Sequence, residues 1–502
     1  MKKIIKIISA LLVPVMILPS VGCTKNDTNE KVTLKWMIMA SEQTDSKKVW
    51  AEFNKELQAY MPGVEVEFIP VANSEYKQRF DLALAGGQQL DIAFGGWLLN
   101  LVNEAEASSL MPLDDLLKEH GQELYNSMDQ WMWDMSSVDG SIYAVPNNNA
   151  MAKGRYAMIT HKKYADKYLD VDKLRETFYS QDTFNEVCYD AIEEYLEKLN
   201  QNGELQKGIN VTYMPGCDLK GYDIVGDRLY TKRGDNEYKV EYKWMLPESK
   251  LMFEKCAEFF NKGYVREDML SLERPRADEG KEDGYTVWFT QYSLNQSEQL
   301  SAQYGYEIVS IPIGDKYYLD ASSEPQTSTV IPYTARYPEK AMDLIQLLNT
   351  DKGKDLYNLL TFGIEGEHYE KIDENTIKPF DYATVPTEDN KYGVVKWMFG
   401  SIFNAYTLVD DQDGYNDYVK NEINDGSEKS PLLGFRCDLN DIKTETAQLQ
   451  AIANEYILPL STGAIADWEG QYEQFMSKLK SAGVEKVKEE VQKQIDEFAA
   501  KK

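Results

Sequence analysis

What most limits how this chain can fold is an alternation of strand and helix signals that begins at Val32. Residues 32–39 (VTLKWMIM) and 64–71 (VEVEFIPV) place β-branched and apolar residues in short extended runs, and between them Trp50, Phe53, Leu57 and Tyr60 recur at helical spacing. Tyr76, Phe80, Leu82 and Leu84 predict a second helix, and residues 90–94 (LDIAF) a third, shorter strand. Strands separated by helices predict a largely parallel sheet covered on both faces, an α/β class, and ligands of such sheets sit beyond the carboxyl ends of the strands. Gly95, Gly96 and Trp97 fall at such an end.

Further along, residues 140–150 (GSIYAVPNNNA) read as a turn, a short strand and a polar loop in which Pro146 stops further ladder formation. Residues 160–305 are helix-rich and less regular, with strand-like runs at YTVWFT and YEIVSIPIG. After the polar stretch ASSEPQTS, a strand (STVIPYT) and the helical run PEKAMDLIQLLNTDKGKDLYNLL return to the pattern of the first block. A chain that leaves a lobe, builds a second and comes back predicts two lobes joined by several crossings, with a cleft that opens and shuts. The expected division is lobe 1 at 32–150 and 325–385, lobe 2 at 151–324, hinge and lobe 2 elements at 386–430, and a helical region at 431–502 packing on lobe 2.

Before Val32 lies MKKIIKIISALLVPVMILPSVGC, in which lysines precede an apolar run too brief to span a bilayer, followed by small residues and Cys23. Residues 18–23 (LPSVGC) resemble the lipobox of bacterial lipoproteins, which implies a signal peptide at 1–22 and lipid on Cys23. Residues 23–31 then read as a polar tether. Two acyl chains would hold the protein stably at the outer face of the cell membrane. The net charge is -29, and loss of Lys2, Lys3 and Lys6 with the signal would take it to -32. Nucleic acid is not an expected partner of so acidic a chain. Cys188, Cys217, Cys256 and Cys437 are far apart, without CxxC pairing, and only three histidines exist. A metal site is not expected, nor is a Cys/His or Ser/His catalytic arrangement, and disulfides are permitted by export but not forced.

Four pieces resemble the extracellular solute-binding lipoproteins of bacterial ABC sugar importers, in the branch similar to maltose-binding protein. They are SEYKQRFDLALAGGQQLDIAFGGW; SSLMPLDDLL with WDMSSVDGSIYAVPNN; STVIPYTARYPEKAMDLIQLLNTDKGKDLYNLLTFGIEGEHY; and GFRCDLNDIKTETAQLQAI, the last like a C-terminal domain of unknown function in one subgroup. The pieces occur in the family's order over nearly the whole chain, while residues 160–320 match nothing residue by residue. The resemblance implies a two-lobed periplasmic-binding-protein fold with hinge strands, an oligosaccharide ligand, membrane permease subunits as partners, no cofactor, and a chain acting as a monomer.

Sugar sites pair flat aromatic rings with groups that hydrogen-bond hydroxyls. Trp97, after two glycines at a strand end, is the first candidate, against a tryptophan tucked onto the neighbouring helix. Asn73 and Tyr76 rank next, above Asp91, which resembles a structural aspartate of the family. Asn147 and Asn148 follow Pro146 in the crossing loop, where they either point into the cleft or shape a turn. Trp288, Gln291 and Tyr292 follow a strand in the second lobe, a pattern suited to a stacking platform or to a core. Glu365 lies in GIEGEHY, a loop resembling one near the cleft, and Trp397 and Arg436 complete the set. Asp411, Asp413 and Asn416 in DDQDGYND resemble half a calcium loop without its closing glutamate. The alternatives to sugar capture are an exported glycan-cleaving enzyme, for which no carboxylate pair stands out, a receptor for a peptide or other polar solute, and a surface scaffold, for which repeats are absent.

Overall fold

The computed structural model describes residues 31–502 except 153, 217–219, 382–385 and 412–413. Cys23 and its flanks lie outside the described residues, as do Cys217 and Asp413.

In the first lobe, the strands Val64–Val71, Val32–Met39, Ile92–Phe94, Ser328–Val330 and Val145–Pro146 form one sheet in that order. The first three run parallel, with Val32 opposite Val64 and Trp36 opposite Ile92. The returning strand Ser328–Val330 pairs antiparallel with both Ile92–Phe94 and Val145–Pro146. Leu34, Trp36, Met37 and Ile38 are all buried, as a strand covered on both faces requires. The helix Ser46–Leu57 buries Val49, Phe53 and Leu57, spaced four residues apart along one face. In the helix Tyr76–Ala85 the buried face is Tyr76, Phe80, Ala83 and Leu84, whereas Leu82 is 60% exposed, so Leu82 does not belong to the stripe drawn from the sequence. The run 338–362 is two helices, Pro338–Asn349 and Lys354–Phe362. They break at Gly353, where a Cβ would sit 2.0 Å from the Leu347 carbonyl oxygen.

The second lobe is built on an antiparallel sheet, Val287–Gln291, Tyr156–His161 and Ile308–Ile313, surrounded by helices. Its core is continuous with that of the C-terminal helices Lys443–Thr462, Trp468–Ser481 and Val484–Ala499. Phe475, Leu479, Val487 and Val491 are buried in the same cluster as Phe253 and Cys256 of the helix Pro247–Asn261. Cys188, Cys256 and Cys437 are free thiols. No helix among the described residues is long and apolar enough to cross a membrane.

One boundary drawn from the sequence needs correction. Residues 392–406 contribute Tyr392, Val394, Met398, Phe399, Ala405 and Tyr406 to the core of the first lobe. The reason is aromatic packing: the Phe399 ring meets Trp36 at 5.4 Å and Phe68 at 6.1 Å, both edge-on. Ile402 and the later Val419 and Ile423 join a small separate cluster that includes Met135, Ala152, Tyr317 and Leu319.

Candidate functional site

Three crossing segments meet between the lobes, and Asn147 ties them together. Its backbone N–H donates to the Thr327 carbonyl at 3.0 Å, and its own carbonyl accepts from the Thr327 hydroxyl at 3.0 Å. Its side-chain oxygen accepts from the Thr329 hydroxyl at 2.9 Å, and its amide donates to the carbonyls of Trp397 and Met398 at 2.8 and 3.3 Å. With every polar group engaged and the residue fully buried, Asn147 is a hinge staple and has nothing left for a ligand. Its neighbour Asn148 is half-buried, accepts from the Ile402 N–H through its carbonyl and meets the Asn424 amide at 3.4 Å. Asn424 also holds the Asn149 carbonyl and the Met151 N–H, fixing the chain as it enters the second lobe.

A cavity of about 550 Å³ opens beside these crossings on the second-lobe side. Its wall is rich in tyrosine: Tyr156, Tyr222, Tyr292, Tyr317, Tyr318, Tyr415 and Tyr418 all border it, with Arg155, Arg233, Lys316, Asp320 and Gln291 among them. Gln291 ends the strand Val287–Gln291 and is exposed, and Tyr292 is half-buried beneath Arg155. The Arg233 guanidinium lies 4.3 Å from the Tyr318 ring and donates to Asp320 at 2.5 Å. Behind this pair Asp223 is buried, where it accepts from the Ser430 hydroxyl and, at 2.8 Å, from the Ala321 N–H. Burial pushes its pKa up to about 6, against the lowering effect of those hydrogen bonds.

Gln326, another cavity residue, connects this wall to the first lobe, because its carbonyl accepts the Trp97 N–H at 3.1 Å. That approach requires glycine at 96: φ is +62°, and a Cβ there would lie 2.1 Å from the same carbonyl oxygen. Trp97 is consequently presented at the carboxyl end of the strand Ile92–Phe94, 46% exposed, with its ring edge-on to Trp397 at 5.0 Å and to Phe94 at 5.3 Å. The two tryptophans form one aromatic step at the hinge.

Other candidates lie elsewhere. Tyr76 is fully buried and its hydroxyl bonds the carbonyls of Met37 and Phe94 and the Phe94 N–H, so it braces the sheet and cannot meet a ligand. Trp288 is 2% exposed, on a strand covered on both faces, with its ring edge-on to His161; it is core, and the platform reading passes to Tyr292. Arg436 donates to the carbonyls of Ala321, Ser323, Phe435 and Met135, joining the crossing segment to the first lobe and the C-terminal region. Burial lowers its pKa, opposed by the nearby Glu324. It too is structural. Glu365 is exposed beside Lys371 at 3.7 Å and is not among the cavity residues. Asn73 is exposed just past the carboxyl end of the strand Val64–Val71, on the same sheet edge as Trp97 but outside the cavity wall. Asp91 accepts from the backbone N–H groups of Lys35, Arg336 and Tyr337, pinning the returning segment to the sheet.

Of the residues in the calcium reading, Asp411 and Asn416 are described and Asp413 is not. Asp411 is bonded through Oδ2 to the Lys396 ammonium at 2.5 Å, and the same oxygen accepts the Leu408 N–H. Asn416 sits exposed on the short helix Tyr415–Tyr418. Among the described residues no group of three or more His, Cys, Asp or Glu side chains could hold a metal ion. What this segment contributes is Tyr415 and Tyr418 to the cavity. Those two, with Arg155, Tyr156, Tyr222, Arg233, Tyr317 and Tyr318, were not singled out in the sequence. The one available signal was the abundance of tyrosine, 33 in all, with the adjacent pair Tyr317 and Tyr318 preceding Asp320.

Comparison with known proteins fits this geometry. Residues 431–500 match the family described as a domain of unknown function, DUF3502. Over 491 residues, 95% of this chain and 93% of the other, the sequence is 24% identical to a carbohydrate ABC transporter substrate-binding protein of Streptococcus pneumoniae. The crystal structure of the N-glycan transport solute binding protein of Streptococcus pneumoniae, 22% identical, superposes with a TM-score of 0.75, covering 94% of this chain and 99% of that one. For the same protein in complex with Man1GlcNAc or Man5GlcNAc the TM-score is 0.65 or 0.62. An extracellular solute-binding protein of Bifidobacterium longum subsp. infantis, 15% identical, gives a TM-score of 0.61 over 95% of this chain and 100% of that one. The fold is thus the two-lobed one of solute-binding proteins, with a helical C-terminal region of the DUF3502 kind.

Proposed function

We propose that this chain is an oligosaccharide receptor of an ABC importer, capturing its ligand between the lobes without cleaving it and presenting the closed form to membrane permease subunits. The observation that carries the reading is the hinge-side cavity, where tyrosine rings and fixed polar groups alternate, linked through Gln326 to the exposed Trp97 step. Rings stack on the weakly apolar faces of sugars, while arginine, carboxylate and amide groups reach their hydroxyls. The carbohydrate-binding name of the pneumococcal relative, which spans nearly all of both chains, supports the same ligand class. Among the three structures of the pneumococcal protein, this chain is more similar to the one described without a sugar than to the two described in complex with Man1GlcNAc or Man5GlcNAc. A ligand with higher affinity for the closed form would draw the lobes together.

Cys23 completes the proposal as a lipid anchor holding the receptor near its importer on the outer face of the membrane. Replacing it, Cys23→Ser, is expected to leave the protein in the medium instead of the membrane fraction. The test of function is titration calorimetry of the mature chain against neutral and acidic oligosaccharides, followed by chromatography of the mixture. Binding with every sugar recovered intact is expected. Release of shorter sugars would make the chain an enzyme, and binding of peptides alone would move the ligand class.

A further inference from the structure

In a chain of net charge -29, the cavity wall runs the other way. Its described residues include Arg155, Arg233 and Lys316 but a single carboxylate, Asp320. Two of the three cations are matched: Arg233 by Asp320 at 2.5 Å, and Lys316 by Glu428 at 3.3 Å. Arg155 has no acidic partner among the described residues. Its guanidinium lies between two rings, 4.8 Å from the centre of Tyr292 and 4.9 Å from that of Tyr317. This holds the plane in place and weakly compensates the charge from its faces.

The edges of that plane are poorly used. One terminal nitrogen donates to the Gly314 carbonyl at 3.3 Å and the other to the Tyr418 hydroxyl at 3.4 Å, both long bonds to neutral acceptors. A guanidinium has five N–H donors, so one remains on each terminal nitrogen, and Nε, which is buried, has no partner at all. A half-buried arginine held rigidly by stacking, with terminal donors unspent and no counter-ion, is costly for binding a neutral ligand but suited to a planar, bidentate anion.

We infer that the ligand carries a carboxylate and that Arg155 is its counter-ion: the receptor takes an acidic oligosaccharide, one with a uronic or sialic acid residue, whose carboxylate meets the edge of the guanidinium beside Tyr292 and Tyr317. This inference rests on the oligosaccharide reading and narrows it. The acidic surface outside the cavity repels such a ligand at long range, so selectivity comes from the short-range pair with Arg155 and not from electrostatic steering.

The test uses the full mature chain and matched probes: oligogalacturonates and sialylated glycans, each beside its carboxyl methyl ester. Calorimetry is expected to give about tenfold or greater preference for at least one free acid over its ester, the scale of a charge-assisted hydrogen-bonded pair. Arg155→Gln should abolish that preference, lowering affinity for the free acid more than for the ester, and Arg155→Lys should restore part of it. Thermal melting of both variants checks that they fold, and should Arg155→Gln not fold, the acid-to-ester ratios of the wild-type chain and of Arg155→Lys decide alone. Equal binding of acids and esters, or tight binding of neutral oligosaccharides only, would overturn the inference and leave the oligosaccharide reading standing. Failure of every sugar would overturn both.

Discussion

At the scale of single residues, exposure and hydrogen-bond satisfaction separate side chains that a sequence makes look alike. Trp97 lies just past a strand and Trp288 within one, and one is 46% exposed and the other 2%. Trp97→Ala is therefore expected to weaken oligosaccharide binding by about 1–3 kcal/mol, the range for a stacking aromatic at a binding site, with little change in melting temperature. Calorimetry and thermal melting on one preparation check both halves. Tyr76→Phe should do the reverse, lowering stability by about 1–3 kcal/mol through orphaned buried partners and leaving affinity alone. Asp223 gives a pH signature. Its folded pKa of about 6 exceeds the ordinary 3.8, so protonation stabilises the fold; that stabilisation is full below pH 4 and is lost as pH rises through 6. Compared with wild type, Asp223→Asn should therefore melt relatively higher at pH 7 than at pH 4. A difference independent of pH would contradict the assigned cause.

At the scale of elements, local periodicity was a good guide where strand and helix each had one buried face, and a poor one where segments cross. The strands at 32–39 and 64–71, the helix after Ser46 and the placement of Trp97 at a strand end were all legible, because each is decided by neighbours in sequence. Asn147 was legible as a crossing residue but not as a staple, since its partners Thr327, Thr329, Trp397 and Met398 are some 180 to 250 positions away. Asn147→Ala removes an amide that holds two segments at once, leaving the Trp397 and Met398 carbonyls short of a donor and the Thr329 hydroxyl short of an acceptor. A loss of about 2–4 kcal/mol in unfolding free energy is expected in denaturant titrations, together with faster proteolysis at the crossings. The C-terminal helices behave as part of the second lobe: Phe475→Ala should cost about 3–5 kcal/mol and destabilise that lobe, not a detachable tail.

At the scale of the whole molecule, the two-lobed architecture was readable from a pattern that departs and returns, and from four family-like pieces in order. The tyrosine-lined wall was not, because its residues come from around 155, 222, 233, 292, 317 and 415, segments whose only common property is where the fold puts them. Acidic composition spoke only against nucleic acid, and the local arrangement around Arg155 is visible only in the fold. The central claim is that a sugar is held between the lobes and draws them together. Small-angle scattering of residues 24–502, with and without saturating oligosaccharide, measures this most directly. The account predicts a smaller radius of gyration in the complex, with the transition shifted to higher sugar concentration in Trp97→Ala. Saturation by calorimetry with an unchanged scattering profile would contradict it.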